Sequence, residues 1–186
     1  MAYRKEFSQE LSDECDPISR KTAIAFLKQY NFNCEEIPEI DGTHKGCYDI
    51  KATSSKEVRR IEVECKKVWK QKALDDSMYG NGNRTYYDVQ LPARKWLKTK
   101  EYPIESLATH YFVFNNDYDR VFICGLNSLM SIEEYQLRIV NSIYQKNDVF
   151  ARIPCKDGWF YMFDGQKWIL DTKNNDFFKK LTSADI

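Results

Sequence analysis

Only two histidines, His44 and His110, occur in the chain, and its six cysteines (Cys15, Cys34, Cys47, Cys65, Cys124 and Cys155) form no CxxC pair. A structural zinc site needs Cys and His ligands clustered at short spacing, so that class is not expected. A disulfide framework is not expected either, and the cysteines read as small core residues. Seven glycines and five prolines in 186 residues are too few for a low-complexity or collagen-like chain. No apolar run approaches the roughly 20 residues that span a bilayer, and the opening MAYRKEFSQELSDEC lacks the apolar core of a signal peptide. The expected location is therefore cytoplasmic, with no membrane partner. GxGxxG, GxxxxGK[ST] and CxxCH are all absent, so no flavin, nucleotide or haem cofactor is expected.

Apolar residues make up 42% of the chain and aromatics 15%, enough to bury a core in a domain of ordinary size. No internal repeat is present. Formal charge is zero, but it is unevenly spread: residues 45–100 hold 14 Lys and Arg against 7 Asp and Glu, while the flanks 1–44 and 101–186 are net acidic. A local basic excess suits a polyanion-binding surface, although a modest lysine cluster is also ordinary solvated surface.

Asp16-Pro17 predicts a helix start, a capping carboxylate before proline at the first helical position, with Ile18, Thr22, Ala25 and Phe26 near helical spacing and an end near Tyr30. Residues 2–14 predict a short, weaker helix before it. Strands are predicted over Asn33–Ile40, Gly46–Ala52 and Arg59–Val68, joined at Asp41-Gly42 and by a polar loop from Ala52 to Glu57. Gly80-Asn81-Gly82-Asn83 reads as a loop, and "YYDVQLPARKWLKTK" starts extended and turns basic. A strand pair follows over His110–Asn115 and Arg120–Gly125. Residues 126–145 are predicted helical or part-helical, "GWFYMFDGQKWIL" a hairpin turning at Asp164-Gly165, and Asp176–Leu181 a closing helix.

The stretch "CYDIKATSSKEVRRIEVECKK", Cys47 to Lys67, concentrates the chemistry. Side chains alternate along a strand, so Glu62, Glu64 and Lys66 share one face and Ile61, Val63 and Cys65 the other. Asp49 lies on the preceding strand. As plain surface, such a face would form cross-strand ion pairs worth about 0.2–1 kcal/mol each. As a site, two carboxylates offer the oxygen donors a hard divalent cation prefers, beside an ammonium that can orient a water or neutralise developing charge.

Asp49 in "YDI", then fourteen residues, then "VECKK" at 63–67, resembles the PD-(D/E)XK nuclease superfamily, and the likeness covers residues 16–125. The resemblance implies an α/β, restriction-endonuclease-like fold: a central mixed sheet flanked by helices in the order α-β-β-β-α-β. On this reading the chain is a single nuclease-like domain over 1–186, with its core at about 16–125 and a C-terminal extension containing a β-hairpin at about 126–186. It further implies a metal-dependent DNA endonuclease of a prokaryotic or phage-type intracellular protein, with DNA the expected partner ahead of RNA. Many such enzymes dimerise to cut two strands, so a homodimer is compatible with the likeness. Asp49 and Glu64, with the carbonyl of Cys65, would hold Mg²⁺, for which Mn²⁺ can substitute, and Lys66 would act on the attacking water. Gln90, Arg94 and Lys95 in "QLPARKW" would contact nucleic acid.

Two features depart from that pattern. Tyr48 stands where a proline often precedes the aspartate, and the helix after Pro17, "ISRKTAIAFLKQY", carries no acid, which leaves Glu10, Glu14 and Asp16 as upstream substitutes among which the sequence does not choose. The alternative is a catalytically inactive nuclease-like module that binds nucleic acid or protein.

Overall fold

The computed structural model describes residues 9–37, 48–66, 80–81, 84–85, 88–92, 108–125, 137–140 and 148–180; at 9–16, 66, 80–81, 84–85, 90–92, 137–140 and 148–151 the description is of the backbone alone. Statements below concern these residues.

One helix, α1 (Gln9–Gln29), runs straight through Pro17. This corrects the expectation of a helix beginning at Asp16-Pro17 after a separate short one. Proline gives up a single backbone donor and strains the turn before it, and here the helix continues across that defect. The far end falls where expected: Asn31 takes a left-handed φ of 63°, and the amides of Asn31 and Phe32 return to the carbonyls of Lys28 and Leu27 at 3.0 and 3.1 Å. That geometry closes a helix by satisfying its last carbonyls.

Three strands follow, β1 (Asn33–Glu36), β2 (Ile50–Thr53) and β3 (Val58–Lys66), then the short β4 (Gly80–Asn81) and β5 (Arg84–Thr85), and β6 (Asp88–Pro92). Beyond them come β7 (His110–Asn115), β8 (Arg120–Gly125), β9 (Leu137–Val140), β10 (Asp148–Pro154), β11 (Trp159–Phe163), β12 (Trp168–Leu170) and the helix α2 (Thr172–Lys180). The main sheet is ordered β1-β2-β3-β7-β8-β11-β12. Its neighbours are antiparallel except at the centre, where β3 and β7 run parallel with Glu64 opposite Val113 and Lys66 opposite Asn115. The protein is thus a mixed α/β fold built on a mostly antiparallel sheet. The second helix of the α-β-β-β-α-β order would fall between β3 and β7, largely outside the described residues.

Residues 126–145 depart from the helical expectation at Leu137–Val140, which form β9 and pair antiparallel with β10, itself paired with β6. Leu137 and Ile139 alternate with Arg138 and Val140, a period that fits a strand once a partner is present. The 158–170 hairpin forms as expected, Gly165 taking φ 97° in its turn. It supplies strands six and seven of the main sheet, because Phe160 pairs with Phe122 of β8.

Both faces of this sheet are covered. On one, Ala23, Phe26 and Leu27 of α1 pack on Ile50, Ala52, Ile61, Val63, Phe112, Phe114, Val121, Ile123 and Trp168. Phe26 meets Phe112 edge-on at 5.4 Å. On the other, Phe122, Phe160 and Phe178 of α2 form an aromatic column with centroid spacings of 4.9 and 5.3 Å. Asp171 caps α2 by accepting the amide of Asn174 at 3.1 Å. Asn175 clamps that helix to β11, accepting the amide of Phe160 at 3.0 Å and donating to its carbonyl at 2.8 Å. No described helix is long and apolar enough to cross a membrane.

Candidate active site

The alternation expected of β3 is present. Ile61 and Val63 enter the α1 core, fully buried and 9% exposed respectively, and Glu62 and Glu64 take the opposite face. Glu62 is nonetheless buried, which fits a structural role better than a solvated one. Glu64 is half-buried. It lies close enough to Cys124 on β8 to add its charge to burial, and together they push that thiol up to about 12.

Asp49 occupies the bend just before β2, and its carboxylate is held by two donors. Oδ2 accepts the amide of Val63 at 2.8 Å and Oδ1 accepts a guanidinium N–H of Arg20 at 3.0 Å. The β2–β3 ladder ends at the pair Ile50–Ile61, extended by the Asp49 amide donating to the Ile61 carbonyl at 2.8 Å. Beyond that point the Asp49 side chain takes the place a strand carbonyl would hold against Val63. The aspartate is therefore brought to β3 one residue before Glu64. It is turned toward α1, while Glu64 leaves the strand on the far face. The two carboxylates therefore stand beside neighbouring residues of β3 but on opposite faces of the sheet.

Arg20 is the residue that sequence reasoning missed. It lies within the helix stretch noted for having no acid, and it also approaches Glu36 of β1 at 3.7 Å. Its guanidinium sits against the aspartate at the place where the resemblance leads one to look for a helix carboxylate. A basic residue on the same helix face as Ala23 and Leu27 was the available signal, since such a group needs an acid to face.

Cys65 lies in the β3–β7 ladder opposite Phe114 and its thiol contacts the carbonyl of Asn115 at 3.5 Å. Lys66 closes β3 opposite Asn115, with the backbone alone described. Gln90 lies on β6 opposite Arg152, again by backbone, and Arg94 and Lys95 lie outside the described residues. Of the upstream acids, Glu10, Glu14 and Asp16 all fall on α1, in the part described by backbone. Among the described residues no group of three or more His, Cys, Asp or Glu is placed to hold a metal ion. The oxygen chemistry of Asp49 and Glu64 does suit a hard divalent cation, since each hydrogen-bonded carboxylate oxygen retains a second lone pair.

No family model matches the chain, and no curated protein matches it. Among solved structures it is similar to a bacterial homing endonuclease, I-Ssp6803I, at 11% identity and a TM-score of 0.38, over 63% of this chain and 67% of that one. A likeness at that level assigns neither fold nor activity.

Proposed function

We propose that the protein is a metal-dependent nuclease of PD-(D/E)XK type that hydrolyses phosphodiester bonds, most readily as a DNA endonuclease. The observation supporting this reading is the bond from the Val63 amide to Asp49 at 2.8 Å, which joins the aspartate to the Glu64-Cys65-Lys66 strand. Asp49 and Glu64, with the Cys65 carbonyl, would hold Mg²⁺ or Mn²⁺ once Asp49 leaves Arg20 and swings round β3 to the Glu64 face. That ion would supply positive charge to the phosphate oxygens and lower the pKa of a bound water. Lys66, two residues past Glu64, would orient the attacking water or neutralise charge building on the phosphate. Arg20 holds Asp49 in place when no cation is bound and competes with one for its charge. Gln90, Arg94 and Lys95 would contact the nucleic-acid backbone.

A second reading is favoured by one observation: the Asp49 carboxylate is already neutralised by Arg20 at 3.0 Å. That arrangement suits a nuclease-like module which binds nucleic acid or protein without cutting. Nicking of supercoiled plasmid separates the two. Conversion to open circle that needs Mg²⁺ or Mn²⁺ and is lost in Asp49→Ala and Lys66→Ala supports the enzyme; wild-type protein that shifts plasmid on a gel without nicking it supports the module.

A further inference from the structure

Beside the C-terminal end of α1 a cleft of about 570 Å³ opens on the α1 side of the sheet. It is well away from Asp49 and Glu64: Arg59, on its wall, precedes Glu64 by five residues of strand, about 17 Å. Its volume lies within the roughly 300–1,000 Å³ usual for small-ligand sites.

The lining combines three kinds of group that do not otherwise need one another. Tyr30, Phe32 and Trp159 supply rings, and two of these are unusually open for aromatics, Trp159 at 47% and Tyr30 at 40% exposure. Single exposed aromatics are ordinary, but two converging on one concavity form a platform. Arg59 supplies a cation, lying 4.9 Å from the Phe32 ring centroid. One of its terminal nitrogens donates to Glu57 at 2.6 Å, while its Nε is buried without a hydrogen-bond partner. That nitrogen is closed off from the cleft, but the side chain as a whole is 28% exposed, so an anion entering the cleft can meet the rest of the guanidinium in competition with Glu57. His110 and Asp157 add hydrogen-bonding groups, the former with Nδ1 3.0 Å from the Thr109 hydroxyl. Lys179 of α2, outside the lining, sets an ammonium over the Trp159 ring.

We propose that this cleft binds one nucleotide, its base on the Tyr30 and Trp159 rings and its phosphate on Arg59. A purely apolar ligand would make no use of the partly exposed Arg59 guanidinium. A quaternary ammonium, which also favours aromatic walls, would face Arg59 and Lys179. An inorganic anion would leave the exposed rings unused. A nucleotide answers the rings by stacking and the guanidinium by charge, and Asp157 can accept from a base amino group. The nucleotide can be free or one unit of a single strand. This inference stands apart from the nuclease reading.

The test is titration of the full chain, without metal, by deoxyadenosine monophosphate, followed through tryptophan fluorescence and calorimetry. Deoxyadenosine, deoxyribose phosphate and a short oligothymidine serve as comparisons. The expected result is saturable binding in the millimolar range or tighter, weakened about tenfold by Arg59→Gln and by Tyr30→Ala, and about tenfold weaker for either half-ligand. Tyr30 is exposed, so its variant keeps the test valid where Arg59→Gln fails to fold. An oligothymidine that binds tighter than the monophosphate identifies a strand as the source, and the reverse identifies a free nucleotide. Absence of saturable binding, or equal affinity for deoxyribose phosphate and the whole nucleotide, overturns the proposal. Plasmid nicking on the same preparations reads the other site: nucleotide binding without nicking defeats the nuclease reading alone, and nicking without nucleotide binding defeats this one alone.

Discussion

Arg20 of α1 and Asp49 at the entrance to β2 are joined at 3.0 Å, each side chain 16% exposed, and the same carboxylate is fastened to β3 through the Val63 amide. One aspartate thus ties helix, hairpin and central strand together. Removing the cation leaves a partly buried carboxylate with one donor fewer. Arg20→Leu should therefore lower stability by about 1–3 kcal/mol. Asp49→Asn added to it should recover part of that loss, since the amide oxygen can still accept from Val63. The check is the urea midpoint of the two single variants and the double. The nuclease reading adds an opposite sign for a second quantity: Arg20→Leu should bind Mn²⁺ several-fold more tightly while being less stable.

Gly158 joins the turn after β10 to β11, and its extended backbone, φ −125°, would suit any residue. Space is what holds it to glycine. A Cβ there would collide with the Phe122 ring and stand 2.8 Å from the Ile123 carbonyl. Gly158→Ala should cost about 1–3 kcal/mol by overpacking, read as a lower denaturation midpoint with near-ultraviolet circular dichroism reporting disturbed aromatics.

Asn175 satisfies both backbone groups of Phe160 and also donates to the Asp171 carbonyl at 2.7 Å. Asn175→Ala leaves the buried Phe160 amide without this acceptor, at about 1–3 kcal/mol, while the Phe160 carbonyl keeps the Asp171 amide at 2.9 Å. Hydrogen exchange should speed up across α2 and the β11–β12 hairpin before it does in β3 and β7.

Much of the fold was legible from local pattern. β7 and β8 fall where expected because their runs are strongly apolar and the NDYD turn between them has one clear closure, with Asn115 accepting the amides of Asp119 and Arg120 at 3.1 and 3.0 Å. The faces of β3 were legible for the same reason, a strict period of two. What failed depended on distant partners. Pro17 looked like a boundary because its local cost is visible in sequence, yet α1 runs across it from Gln9 to Gln29. Leu137–Val140 became a strand only because β10 lies beside it, and Arg20 found Asp49 across 29 residues. The aromatic cleft joins α1, β3, β7, β8 and β11, a meeting no spacing announces.

His110 is held neutral. Burial first, and the Arg59 cation second, depress its pKa to about 4, with Glu57 opposing. The unfolded chain binds this proton below about pH 6.5 and the folded chain only near 4. The resulting stability is present above pH 6.5 and is lost as pH falls from there toward 4, an amount of at most about 3 kcal/mol. His110→Gln should flatten that part of the stability profile, measured by urea unfolding at intervals between pH 7 and pH 4.

The central claim is that Asp49 and Glu64, now on opposite faces beside β3, can be brought together by a shared cation. A crystal structure of the chain soaked in calcium, which binds without turnover, addresses it directly. The account predicts Ca²⁺ within about 2.3–2.6 Å of an oxygen from each carboxylate, with the Arg20 guanidinium drawn away from Asp49. Arg20 still paired to Asp49 at 3.0 Å, with no cation between the two acids at saturating calcium, would contradict it.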